Sequence, residues 1–398
     1  MILAPEKSVC AKAVLLNFTC NYLCKKVYFI IEGTNEGEGE IQMEAVRIRT
    51  DQAESGMTVA SDIFNANNQL IITKGTVLDD RMITKLRFYN IYGLLIYIGN
   101  EQKLELKEES YIEMLRNTPE FKKFNRTYVD TVSDVEINFN RVISGERFNI
   151  DEMLEQTDRI IKEGRNGAHI LEMLHGIRNY DDMTYVHSLN VSLICSIFAN
   201  WLKYSWEDAR VLTLSGLLHD IGKMLVPREI LSKDGKLTEQ EFNIIKTHTI
   251  KGYQVLKDLP LDIRVKYAAL MHHERADGSG YPNGFVAEQI EEYAKIVAVA
   301  DVYDAMTSNR RYRNAICPFD VVENFERDGF LKYDPGFLMT FMERIVESYL
   351  HNIVRLNDGR EGEVVMINKL ALSRPVIRIG SDFIDLSKEH RLMIEAVV

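Results

Sequence analysis

Five of the nine histidines in this 398-residue chain fall between residues 187 and 273, at His187, His219, His248, His272 and His273. The steps between successive clusters are 32, 29 and 24 residues, and 29 more lead to Asp301. Each step crosses into a different predicted helix, so several helices must pack together before these side chains can meet. A helical bundle delivers ligands to one internal cavity in this way. A zinc finger, by contrast, gathers them from short loops. The spacing therefore predicts a mainly α fold with an all-helical bundle at its centre.

The helical signals are local and readable. In YVHSLNVSLICSIFANWL the apolar residues Val186, Leu189, Leu193 and Ile197 recur at three- and four-residue steps, which buries one face. Thr238 and Glu241 have the spacing of a capping box and would start a helix carrying Ile244, Ile245 and His248. Another helix carries Val265, Ala268, Ala269 and the histidine pair, and AKIVAVADVYDAMTS is apolar enough to be a central helix.

Two stretches carry the chemistry. In LLHDIGK, His219 and Asp220 are neighbours, about 100° apart around a helix, so they cannot point identically at one ion but can straddle two. Asp220 has two oxygens and is the natural bridge. Lys223 follows on nearly the same face, where its ammonium could hold a phosphate oxygen. In HHERADGSGYPNG, two adjacent histidines and a carboxylate precede a glycine-rich turn that ends in Tyr281 and Pro282. Taken singly, each residue has a plainer reading: His187 as a satisfied core histidine, His248 on a solvent face, His219 and Asp220 at an ordinary helix end. Asp301 is harder to dismiss, because a carboxylate amid so many apolar neighbours needs a partner when buried. Arg310, Arg311 and Arg313 follow that helix and could reach an anionic substrate. His169, His175, His351 and His390 have no comparable company and are assigned no role.

The joint occurrence of HDIGK, HHERADGSGYP and ADVYDAMTSNRRYR, in that order, resembles the HD-GYP branch of the HD phosphohydrolase superfamily over roughly residues 130 to 350. The resemblance implies a helical domain with a bimetal centre that hydrolyses cyclic di-GMP to the linear dinucleotide pGpG, and in some members on to GMP. By position it implies one metal on His187, His219, Asp220 and Asp301 and a second on Asp220, His248, His272 and His273. Lys223, Tyr281, Arg310 and Arg313 match substrate-contacting positions, with Asp220 and Lys223 in the catalytic roles. Some members support a third metal with a glutamate one turn before the first histidine. Here Met183 stands there, a poor ligand for a hard cation, so two divalent ions, iron or manganese, are expected. Arg311 stands where the family usually has proline. A hydroxide bridging the two metals would attack the phosphorus. The alternatives are a silent receptor for the same dinucleotide and a hydrolase of another nucleotide, such as cyclic GMP-AMP.

The flanks read differently. Residues 43 to 127 begin with short strands in AVRI, SDIF and QLIIT, a helix starting at Asp79 or Asp80, and a buried strand GLLIYI, a small α+β regulatory or dimerisation module that leaves a homodimer open. Helical periodicity takes over at about Tyr128, and residues 351 to 398 form a β-rich tail with an Asp-Gly turn. Residues 1 to 42 precede the coherent pattern. EGEGEIQM, whose codons are purine-rich like a bacterial ribosome-binding site, gives the expectation of a misassigned start or an unfolded extension. A net charge of −11 argues against broad binding to nucleic acid duplexes or anionic membranes, which need a basic field. Five scattered cysteines make neither a disulfide framework nor a zinc finger, as in a reducing, cytoplasmic setting.

Overall fold

A computed structural model describes residues 28–29 and 43–398, apart from 66–68, 90, 92, 99–114, 147, 178–183, 234 and 309–315. The chain divides into two compact units, residues 1–115 and 116–398. The expectation for residues 1–42 lies outside the described residues except at Tyr28–Phe29, strand β1, which pairs with Met43 and Glu44.

In the first unit, Met43–Arg49 (β2) pairs antiparallel with Gly93–Ile98 (β6), and Thr58–Val59 (β3) pairs with the other edge of β6. Ile63–Phe64 (β4) and Leu70–Ile72 (β5) form a separate hairpin. The helix Asp80–Phe88 (α1) starts where Asp79 caps it by accepting from Met82 N at 2.7 Å. Its Ile83 and Leu86 join Ile48, Val59, Leu94 and Ile96 in one small core.

The second unit is the helical bundle. Its first long helix, Pro119–Ser144 (α2), begins at Thr118 and Pro119, within the charged, helix-friendly stretch that precedes the apolar periodicity near Tyr128. Thr118 caps Phe121 N and proline occupies the first turn, where no amide is needed. Phe121, Phe124, Tyr128, Val132, Val135, Phe139 and Val142 repeat at helical spacing and are buried. Phe124 and Phe139 are fully buried, and cutting either to alanine should cost roughly 3–5 kcal/mol. Ile150–Glu163 (α3) and Gly167–Gly176 (α4) follow, each started by an asparagine side-chain cap.

Thr184–Trp201 (α5) is more central than its periodicity implies. Instead of one buried face, it buries Leu189, Val191, Leu193, Ile194, Ile197 and Phe198 around most of its circumference, while Val186 is only partly covered. It packs against Trp206–Leu218 (α6) and Glu292–Thr307 (α10). Between these lie Glu239–Lys246 (α7), His248–Leu256 (α8) and Ile263–Met271 (α9). Among the described residues no helix is long and apolar enough to cross a membrane.

Pro318–Asn324 (α11) and Pro335–Ser348 (α12) lead into a five-stranded antiparallel sheet: Ile353–Leu356 (β7), Glu361–Met366 (β8), Val376–Ile379 (β9), Asp382–Asp385 (β10) and Ile394–Val397 (β11), in the order β10-β9-β8-β7-β11. Glu326 ties it to the helices by accepting from Leu372 N at 2.6 Å and from the Ser373 hydroxyl.

Candidate metal centre

The structure puts most of the metal-ligating candidates at helix ends. His219 is the C-cap of α6, and Asp220 leaves the helix with φ −102° and ψ 9°, so the pair is not spaced around a continuous helix as expected. Lys223 lies on the 3-10 turn Ile221–Leu225. His248 opens α8. The capping box at Thr238 and Glu241 forms, but its helix α7 ends at Lys246, before the histidine it was expected to carry. His272 caps the C-terminus of α9 and His273 follows it. Only His187 on α5 and Asp301 on α10 sit inside helices. The turn after Asp220 crosses α8 so closely that a Cβ at Gly222 would lie 1.9 Å from the His248 carbonyl oxygen, which explains the glycine in LLHDIGK.

Backbone carbonyls near the helix ends hold three of the imidazoles. Nδ1 of His219 donates to Gly216 O at 2.7 Å, Nδ1 of His248 to Ile245 O at 2.7 Å, and Nδ1 of His272 to Ala268 O at 2.9 Å. A carbonyl only accepts, so each Nδ1 carries the proton and each Nε2 is left with a lone pair. Those lone pairs point at acceptors. Nε2 of His248 lies 3.3 Å from Nε2 of His272, and 3.2 Å from Asp220 Oδ1.

Asp220 divides its oxygens between two groups. Oδ1 faces His248 at 3.2 Å and His272 at 3.7 Å, and Oδ2 faces His219 at 3.3 Å and His187 at 3.5 Å. Lys223 also pairs with Oδ2. Asp220 is fully buried, yet its Oδ1 and Nε2 of His219 have no hydrogen-bond partner. Acceptors packed against acceptors repel unless something positive lies between them. The donors fit divalent cations: His187, His219 and Asp220 form one group that could hold an ion, and Asp220, His248, His272 and His273 another, each with its ligand atoms within 4.8 Å of one another.

His187 is held differently. Its Nε2 meets Asp301 Oδ1 at 3.0 Å and its Nδ1 meets Asp304 Oδ2 at 2.7 Å. Burial pulls its pKa down, but hydrogen bonds and charge from Asp301 and Asp304 outweigh that and carry it up to about 9. A cation would replace the Nε2 proton, and Asp304 would keep the ring oriented from behind. The other rings go the opposite way: burial, opposed by Asp220, takes His248 down to about 3, and burial holds His273 well below the usual histidine range. For Asp220, burial is outweighed by Lys223 and His219, and its carboxyl stays well below the ordinary value. Asp301 also reaches His273 Nδ1 at 3.8 Å, so it stands between the two groups.

The GYP turn closes over the histidines. Glu274, 2% exposed, accepts from Asn283 N at 2.7 Å and Phe285 N at 3.0 Å, so the third residue of HHE fastens the far side of the loop. A Cβ at Gly280 would lie 2.4 Å from Arg275 N and 2.5 Å from His273 O, so only glycine lets the loop double back. Tyr281 then donates its amide to His273 O at 3.1 Å and lays its ring on His273, 4.6 Å between centroids. Burial and the Asp220 and Asp301 charges raise its hydroxyl above the ordinary range, so it stays a proton donor.

Two contributors have no assigned role in the sequence pattern, Asp304 and Glu274. Asp304 lies three residues after Asp301 on one helix, a spacing that shares a face; the role of Glu274 depends on a loop folding back. Arg310, Arg311, Arg313 and Met183 lie outside the described residues. Cys195 and Cys317 are free thiols.

Residues 145–336 match the family model described as HD domain. The chain is 37% identical over 205 residues to a cyclic di-GMP phosphodiesterase of Pseudomonas aeruginosa, covering 51% of this chain and 49% of that protein. It is 29% identical over 328 residues to a cyclic di-GMP phosphodiesterase of Thermotoga maritima, covering 78% of this chain and 84% of that one. A 3'3'-cGAMP-specific phosphodiesterase of Vibrio cholerae is 41% identical over 133 residues, 33% of this chain and 31% of its own length. The chain thus spans about half the length of the first of these relatives and about a third of the last. The quoted motifs converge on one buried cluster, and its candidate ligands from His187 to Asp301 all fall within residues 145–336, the segment that is similar to the HD domain family.

Proposed function

We propose that this protein is a metal-dependent phosphodiesterase that opens cyclic di-GMP to pGpG. The observation that carries the reading is the split of the Asp220 oxygens between two histidine groups, with Asp220 Oδ1 and His219 Nε2 buried and without a hydrogen-bond partner. His187, His219, Asp220 and Asp301 would hold one divalent cation, and Asp220, His248, His272 and His273 the other. Iron or manganese suits this mix of imidazole and carboxylate. Two such ions would supply Lewis-acid polarisation of the phosphoryl group and activation of water.

The chain's own groups do the rest. Backbone carbonyls behind His219, His248 and His272 keep their Nε2 atoms facing inward. Lys223 steadies Asp220 and adds positive charge where a phosphate would sit. The Tyr281 hydroxyl, held protonated, can donate to a phosphoryl oxygen. Arg310 and Arg313 are carried over from the family resemblance as further phosphate contacts. Local positive charge would thereby draw a dianion to an acidic protein.

Turnover of cyclic di-GMP by protein loaded anaerobically with iron or manganese, with products separated by chromatography and metal counted on the same sample, tests this. Production of pGpG or GMP that disappears in Asp220→Ala supports it. Two bound metals without turnover would overturn it in favour of a receptor. Faster turnover of cyclic GMP-AMP would favour the second reading, which the Vibrio cholerae relative's specificity motivates.

A further inference from the structure

The rim of the metal centre carries an aromatic and a cation that the roles above leave unused. Phe242 lies on α7 with 44% of its surface exposed, and none of the residues of this helix is fully buried. Core packing therefore does not account for a large aromatic here. Its ring meets Tyr281 edge-on, 6.4 Å between centroids at 77°. Lys246, one turn further along α7, holds its ammonium 4.7 Å from the Phe242 centroid and 5.7 Å from that of Tyr281.

These groups continue the site outward. Tyr281 lies against His273 and meets His248 edge-on at 6.3 Å, so the path from the candidate ligands to solvent runs from imidazoles to Tyr281 and then to Phe242. The start of α7 is pinned: Glu241, next to Phe242, accepts from Thr238 N at 2.7 Å and from Lys233 Nζ at 2.7 Å. An exposed ring held in place beside a phosphate-binding centre is a surface on which a flat base can lie. A lysine beside it can donate to the O6 and N7 acceptors that guanine presents along one edge.

We infer that Phe242 and Lys246 form a nucleobase shelf, on which Phe242 stacks one guanine of the cyclic dinucleotide while the Lys246 ammonium, which lies over the ring, swings aside to read the acceptor edge of that guanine. This rests on the cyclic di-GMP reading above and adds to it the part of the site that recognises the base. Phe242 and Lys246 act on binding and not on the reacting phosphorus, so their loss falls on KM and leaves kcat nearly in place.

The test uses Phe242→Leu, Phe242→Trp and Lys246→Met in the full chain, each checked for unchanged metal content and melting temperature. With cyclic di-GMP, Phe242→Leu should raise KM roughly tenfold to a hundredfold, the loss expected for one base-aromatic stack. Phe242→Trp should restore it, and Lys246→Met should narrow the preference for cyclic di-GMP over cyclic di-AMP. An unchanged KM in Phe242→Leu, or a drop in kcat that Phe242→Trp does not restore, would overturn the shelf while leaving the phosphodiesterase reading intact. If the wild type binds cyclic di-GMP without cleaving it, the same comparison is made on Kd: the activity reading fails, and the shelf stands or falls on the weakening in Phe242→Leu. Absence of both binding and cleavage overturns both.

Discussion

Two histidine sites share the helical unit, and they differ in what the imidazoles face. At the metal centre, His219, His248 and His272 each spend one nitrogen on a carbonyl and turn the other toward further acceptors. At the second site, His175 lies between two hydroxyls, with Tyr303 Oη 3.4 Å from its Nε2 and Tyr349 Oη 3.1 Å from its Nδ1. A hydroxyl can donate or accept, so a neutral His175 is satisfied in either tautomer. One helix serves both sites, since α10 supplies Asp301 and Asp304 to His187 and Tyr303 to His175. The comparison teaches that a place inside the helical unit does not by itself make a histidine a ligand. Partners that can only accept leave room for a cation, and partners that can adapt do not.

The strongest way to break this comparison is Asp220→Ala. If Asp220 serves both groups, its loss should empty both, lowering metal content from two toward none and turnover by about a thousandfold, the product of two losses of the size known for weakened metal ligands. Metal analysis of the purified variant checks the first outcome and product chromatography the second. Retention of two ions would mean that the two groups are independent.

Next in size is an effect of pH on stability that belongs to His175 and not to the metal centre. Burial pushes its pKa down to about 4, against a partial pull upward from Asp304. The unfolded chain therefore takes up a proton near the ordinary value of 6.5 that the folded chain refuses until about 4. Stability from this group is fully present above about pH 6.5 and is lost as pH falls toward 4, a change of roughly 3 kcal/mol. In His175→Leu that part of the acid loss should vanish: lower stability at pH 7.5 but a shallower decline to pH 4 in thermal melts. An identical slope in the two proteins would remove His175 from the account.

The contrast between the sites also sorts what could be read in advance. The spacing from His187 to Asp301 was enough to gather the ligand candidates, because each predicted helix contributes one cluster and a bundle has one interior. Helix ends were less legible. Nothing like glycine or proline separates Lys246 from His248, and Thr247, still in the right-handed helical region, lets α7 stop and α8 begin without a composition signal. At Thr118 and Pro119 the signal was present, a cap followed by proline, but the charged residues after it obscured the apolar stripe from Phe121 to Val142. The sequence around His175 is silent for a different reason. Its partners Tyr303 and Tyr349 are distant in sequence, and ordinary core tyrosines give no sign of pairing until the fold is known.

Asp304→Asn sharpens the comparison at the one ligand candidate clamped by carboxylates. Asp304 touches His187 Nδ1 and accepts from the Ser308 hydroxyl at 3.0 Å, and it lies behind the proposed ligand atom. An amide keeps the shape but withdraws the negative charge that makes His187 a better donor. The affinity for the ion on His187, His219, Asp220 and Asp301 should fall roughly 10- to 100-fold, with the other ion held as before. Competition against a chelator, followed as metal release in two phases, separates the two. Equal weakening in both phases would place Asp304 outside this role.

The smallest expected effect lies on the other side of the comparison, at Tyr349→Phe. Phenylalanine keeps the ring stacked on His175, now 6.5 Å between centroids at an 11° angle, and removes only the hydroxyl near Nδ1. Tyr303, which loses its own hydrogen bond with the Tyr349 hydroxyl, still serves one nitrogen of His175, so the cost is about 1 kcal/mol, at the low end of such losses. That corresponds to a drop of roughly 2 °C in the melting temperature of a unit this large. Metal content and cyclic di-GMP turnover should not change, because no proposed ligand is touched. If metal content fell instead, Tyr349 would be acting through α10 on Asp301 and Asp304, and the two histidine sites would be one coupled network instead of two environments side by side.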